Sequence, residues 1–228
     1  MNDKTEDAMK VQLTAHRARL DGKEYRVIQP RHDLRQATLR DGKSCFILRM
    51  SRECVWQFAA VWELASRSPR SIIYLPIRRN PLALDSVQWQ GDYRPLDLVL
   101  VDHSLQLRPS AWPRIRAQLR DGQPESAEFS TTALRERADQ PRNPRLHDRE
   151  NLDRFVHHVY AETLFLTGSK AVFADTVGEF SRVADHPSVH PDFETYCGEF
   201  DVVDKPRWPV DVTELFIGHT ELWPPTPA

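Results

Sequence analysis

Alternation of apolar and polar residues is clearest over residues 96–107, L-D-L-V-L-V-D-H-S-L-Q-L. Successive strand side chains face opposite ways. The even positions therefore run Leu96, Leu98, Leu100, Asp102, Ser104, Gln106, and the odd ones Asp97, Val99, Val101, His103, Leu105, Leu107. The first half is apolar on both faces and the second on one. This predicts a strand that starts inside a sheet covered on both sides and runs out toward water near Asp102. Weaker alternation over 11–19 and 25–29, with Asp21-Gly22 between, predicts a hairpin, because a D-G pair suits a two-residue turn. Continuous apolar runs predict buried strands at 44–50 and 72–77, the latter placed at an edge or bulge by Pro76, and a last strand at 212–217.

Helical spacing dominates elsewhere. Ser51 is a natural N-cap, and Val55, Phe58, Ala59, Trp62, Ala65 and Ser66 form one face of a helix over 52–67 that Pro69 stops. Ser110 starts a short helix that ends before Asp121-Gly122. Leu152, Phe155, Val156, Val159, Tyr160, Thr163 and Leu164 also fall on one helical face. After Gly168-Ser169, Phe173, Val177, Phe180 and Ala184 fall on another, so a helical hairpin is expected over about 149–184. The expected fold is α/β or α+β, a mixed sheet with a crossover helix at 52–67 and that hairpin. Residues 1–122 read as a β-rich core and 123–147, with three prolines, as a linker or mobile loop. Residues 148–228 add the hairpin, an acidic Pro-rich tail and the final strand, packed on the core as one unit.

Composition narrows the function classes. Hydrophobic content of 40% and charged content of 28% are those of a globular chain, and no apolar run is long enough to span a bilayer. The amino terminus lacks the apolar stretch of a secretory signal, and three cysteines without a C-x-x-C point to reduced thiols, so a cytoplasmic protein is expected. Arginine outnumbers lysine 25 to 6, as in proteins from GC-rich bacterial genomes. Residues 1–126 carry 21 Lys+Arg against 15 Asp+Glu, or +6, and residues 127–228 carry 10 against 18, or −8. Such polarity can steer a charged partner, although it falls short of the basic stripe of an obligate DNA binder.

No motif names a reaction. Gly42-Lys43-Ser44 ends like a phosphate loop, yet position 37 is Ala37 where the first glycine belongs, and a strand follows instead of a helix. Asp102-His103-Ser104 cannot form a triad, because neighbours on a strand face opposite ways. Asp102 or His103 could act singly as a catalytic group at the strand's end. The segment 186–201 holds two imidazoles, a thiol and four carboxylates, so His186, His190, Asp192, Glu194 and Asp201 are the candidate ligands for a divalent metal ion. Pro187 and Pro191 deny its His-x3-His spacing a helical geometry.

The same segment partly resembles nucleases of the PD-(D/E)xK class, with Asp192 and Glu199 as the acidic pair. Asp201 stands where their lysine belongs, and Lys205 is four residues further on. For surface recognition, Arg67, Arg70, Arg78 and Arg79 bracket one strand and could meet phosphates, while Trp208 and Trp223 sit on the Pro-rich tail as docking anchors. The leading expectation is a cofactor-free binding or accessory protein with a protein partner, or with nucleic acid reached through the basic half, and no membrane. The rival is a metal-dependent hydrolase.

Overall fold

Arg94–Asp102 (β6) is the strand on which the sheet turns, and its neighbours explain its two apolar faces. A computed structural model describes residues 8–31, 34–42, 45–84, 93–140, 155–185, 197–203 and 212–225, with backbone only for 197–203 and 212–214. Leu96, Leu98 and Leu100 enter a large core, while Val99 and Val101 enter a smaller one on the opposite face.

The other strands are β1 (Ala8–Leu20), β2 (Lys23–Pro30), β3 (Ala37–Asp41), β4 (Cys45–Met50) and β5 (Ser71–Leu75), then β7 (Gln123–Ser130), β8 (Phe155–Tyr160), β9 (Thr163–Gly168), β10 (Cys197–Val203) and β11 (Val212–His219). They form one eleven-stranded mixed sheet in the order β3-β4-β11-β10-β8-β9-β6-β5-β2-β1-β7. One edge of β6 pairs with β9 in parallel. The other edge is divided: Arg94, Pro95 and Leu96 pair with β3, and Leu98 to Val101 pair with β5. The β3–β6 ladder therefore closes seven strands into a ring, from which β5, β2, β1 and β7 extend as an arm.

Helix α1 (Arg52–Arg67) carries the chain across the large core from the ring strand β4 to the arm strand β5. Ser51 Oγ accepts the Cys54 N–H at 3.3 Å, and the helix ends at Ser68, before Pro69. Its opposite side is covered by α3 (Thr131–Asp139), α4 (Lys170–Thr176) and α5 (Gly178–Asp185), which is why it is buried nearly all round in its second half. The smaller core lies under α2 (Trp112–Arg116), whose Trp112 and Ile115 meet Ala18, Tyr25, Val27, Tyr74 and Phe165.

The crossover helix and the mixed sheet are as the sequence predicts, and the helical pair is present as α4 and α5. Its amino-terminal boundary is different. Residues 155–168 are not a helical arm but the strand pair β8–β9, in which Leu164 and Leu166 face the large core and Phe165 the small one. A strand buried on both faces loses the period-two signature, so its apolar residues also fit a helical face. The turn between them is unmarked as well: Ala161 and Glu162 occupy the two left-handed positions, at φ +48° and +57°, that Asn-Gly would fill. Ala161→Asn is accordingly expected to raise stability by about 0.5–1 kcal/mol, measured as a higher urea midpoint at unchanged slope.

Two further expectations change. Pro76 marks neither an edge nor a bulge; β5 lies between β2 and β6, and Pro76 stands just past its end. Residues 123–139 of the expected linker are β7, paired along β1, and α3. Among the described residues no helix is long and apolar enough to cross a membrane.

Candidate functional site

Because β5 and β6 run antiparallel with Leu75 opposite Leu98, Tyr74 and Asp97 are diagonal neighbours on the face of the smaller core. Asp97 is the one acid in an apolar row with Val99 and Val101, and it is only 4% exposed. Pro76 has no N–H to extend the ladder. The chain turns there, with the Ile77 N–H donating to Leu75 O at 3.0 Å, and this brings the Arg78 N–H onto Asp97 Oδ1 at 2.9 Å. Asn80 fixes the far end of the turn by donating to Leu34 O and Ala37 O.

The other carboxylate oxygen gathers the rest. Tyr74 Oη donates to Asp97 Oδ2 at 3.0 Å and Arg116 Nη1 donates to it at 3.5 Å, while Arg78 Nε stands 3.8 Å away. Arg78 Nη1 meets Glu162 Oε2 at 2.6 Å, and the Asp97 N–H donates to Glu162 O at 3.0 Å, tying in the left-handed β8–β9 turn. Trp112, four residues before Arg116 on α2, backs the Tyr74 ring edge to face at 4.9 Å. Burial, reinforced by the Asp97 charge, pushes the Tyr74 phenol well above the ordinary tyrosine range.

These groups line a cavity of about 360 Å³ bounded by Tyr74, Pro76, Arg78, Arg79, Asp97 and Arg116. The buried carboxylate holds Arg78 and Arg116 at the rim, and exposed Arg79 adds a third guanidinium with no ion pair among the described residues. Three positive charges outweigh those of Asp97 and Glu162. Arg78 Nε is itself a buried donor without a hydrogen-bond acceptor among the described residues. The arrangement suits an oxyanion that can accept several guanidinium bonds. The described lining residues include no histidine, serine or cysteine.

The sequence candidates are distributed differently from this. Of the four bracketing arginines, only Arg78 and Arg79 share the cavity. Arg67 lies beyond the other end of β5, where buried Glu63 accepts from Arg67 Nε at 2.7 Å and from Arg137, and Arg70 is exposed at the start of β5. Asp102 and His103 exchange the environments expected of them. The strand stops at Asp102, the chain enters a 3-10 turn at His103–Leu105, and Asp102 bends back to accept the Ser104 N–H at 2.9 Å. Asp102 is thus 6% exposed while His103 faces solvent. Trp223 is no open anchor, being 8% exposed with its indole N–H donating to Thr220 O at 2.8 Å.

His186, His190, Asp192, Glu194 and Trp208 lie outside the described residues. Glu199 and Asp201 fall on β10, whose Val202 and Val203 pair with Phe155 and Val156 of β8. Two strands, β8 and β9, lie between β10 and β6 along the sheet. Among the described residues, no three of His, Cys, Asp and Glu are grouped to hold a metal ion.

Arg116 and Tyr74 were not singled out by sequence reasoning. The available signal was Asp97, a lone acid in an apolar strand, since a buried carboxylate requires donors around it. No protein-family model, no curated protein and no solved structure matches this chain.

Proposed function

We propose that this chain is a binding protein, working in a reducing cytoplasm, whose Arg78–Arg79–Arg116 cavity takes a phosphate-class oxyanion carried by its partner. The observation that carries the reading is the buried Asp97, which holds two guanidiniums at the mouth of a cavity beside a third, Arg79, that has no ion pair among the described residues. A carboxylate in that position pre-orients the arginine forks, so less side-chain freedom is lost when an anion arrives. The cavity offers binding without a nucleophile, in keeping with an accessory protein. The metal-dependent hydrolase gains nothing from the described residues.

Calorimetric titration with pyrophosphate tests the reading. Saturable binding is expected, weakened by added salt, and Arg79→Ala should lower affinity about tenfold or more, the equivalent of one charge-assisted hydrogen bond. Arg70→Ala, which removes a cation of the same half outside the cavity, should leave affinity within about twofold. Equal losses in the two variants would reduce the effect to general surface charge and overturn the assignment.

A further inference from the structure

The sheet face that holds Asp97 continues past the arginine cavity. Asp97 lies opposite Thr163 of β9, and Thr163 lies opposite Tyr160 of β8. Directly paired residues point to the same side of a sheet, so the three form one row across β6, β9 and β8. Thr163 is fully buried in that row, whereas Tyr160 is 41% exposed, the one exposed large aromatic residue among those described. His158, two residues back along β8 and opposite Phe165, shares the face and is half-buried.

The β8–β9 turn fixes the Tyr160 ring beside the guanidiniums. Glu162 follows Tyr160 by two residues; its carboxylate meets Arg78 Nη1 at 2.6 Å and its carbonyl accepts the Asp97 N–H at 3.0 Å. Three guanidiniums, those of Arg78, Arg79 and Arg116, stand against the two carboxylates of Asp97 and Glu162, which leaves one net positive charge. Arg78 Nε adds the buried donor that lacks an acceptor among the described residues.

We infer, on the reading that the arginine cavity takes a phosphate-class oxyanion, that the anion is a backbone phosphate of a single-stranded nucleic acid whose neighbouring base stacks on Tyr160. A cationic cavity beside an exposed ring offers the two things a single strand presents, since its backbone carries the charge and every base has a π-face. One net charge suits one phosphate and not a long backbone track. A phosphorylated protein makes no call on the ring, and a duplex keeps its bases stacked inside, out of reach of Tyr160.

The test titrates the full chain calorimetrically with hexathymidylate and with an abasic hexamer of the same charge, which has the phosphates and no bases. Hexathymidylate should bind at least about tenfold more tightly than the abasic strand. Tyr160→Ala should bring the two strands within about twofold of each other while leaving pyrophosphate affinity within about twofold of the parent. Tyr160→Phe keeps the ring and should keep the preference for bases. Arg79→Ala should weaken both strands alike, because it acts on the phosphate. A duplex of the same length should bind no better than the abasic strand.

The inference is overturned if the abasic strand binds as tightly as hexathymidylate, if Tyr160→Ala preserves the difference, or if Tyr160→Phe abolishes it. Pyrophosphate binding separates the two levels: with any of those results and pyrophosphate still bound, the base contact falls and the oxyanion cavity stands. A chain that does not bind pyrophosphate loses both.

Discussion

Trp62→Ala is expected to lower the unfolding free energy by about 3–5 kcal/mol, the range for deleting a fully buried large aromatic. Trp62 is 0% exposed and holds the helical layer to the ring. Its indole meets Phe155 of β8 at 5.7 Å, Phe173 of α4 at 5.7 Å and Phe180 of α5 at 5.0 Å. Its N–H donates to Thr176 Oγ1 at 2.9 Å, while that hydroxyl donates to Val172 O at 2.8 Å. Alanine would open a cavity among three phenylalanines and leave the Thr176 oxygen without its donor. Trp62→Phe keeps part of the ring contact and should lose less. Urea unfolding followed by circular dichroism separates the cases, and a loss below about 1 kcal/mol for alanine would contradict the packing described.

The second large effect is expected at Asp97. Removing one partner of a buried ion cluster commonly costs about 3–5 kcal/mol, because the remaining charges stay desolvated. Arg78 and Arg116 keep 20% and 30% of their side-chain surface in water and can partly rehydrate. The expectation for Asp97→Ala is therefore about 2–4 kcal/mol, with the loss of the Tyr74 and Arg78 main-chain acceptor included. Asp97→Asn retains an acceptor and should cost less. It also removes the second cause of the raised Tyr74 pKa, so phenol ionisation, followed by ultraviolet absorbance, should begin at lower pH than in the parent while burial keeps it above the ordinary tyrosine range. A variant as stable as the parent with unchanged phenol ionisation would show that the carboxylate organises nothing.

How far the fold could be read from sequence depended on whether each element had one buried face or two. The β1–β2 hairpin was legible because Asp21 and Gly22 take the left-handed positions that a D-G pair suits, at φ +50° and +79°. The helix over 52–67 was legible because its first half still shows a wet face and its Ser51 cap. The β8–β9 pair was not, since β9 is covered on both faces and the pair is turned by Ala161-Glu162, residues that do not advertise a turn. Strand order was illegible in principle: β11 lies between β4 and β10 through contacts far apart in the chain.

The site was legible to the extent of Arg78 and Arg79. Arg67 and Arg70 are close to them in sequence but are separated from them by the length of β5. Arg116 arrives from a helix nearly forty residues on, and only the β5–β6 register shows that Tyr74 and Asp97 meet. His103 misled because strand alternation was carried one residue past the strand's end; Asp102 caps the turn that ends it.

The divided edge of β6 bears on how this protein is made. The ring is held shut by β11, which fits between β4 and β10, and residues to His219 must leave the ribosome before that place is filled. Until then β4 has β3 alone beside it, and a hydrophobic edge waits through the synthesis of more than 160 residues, from Met50 to Val212. The arm formed by β1, β2 and β5 needs nothing beyond Ser130, where β7 ends, and can assemble much earlier. Translation therefore supplies every strand of the arm before the last strand that closes the ring.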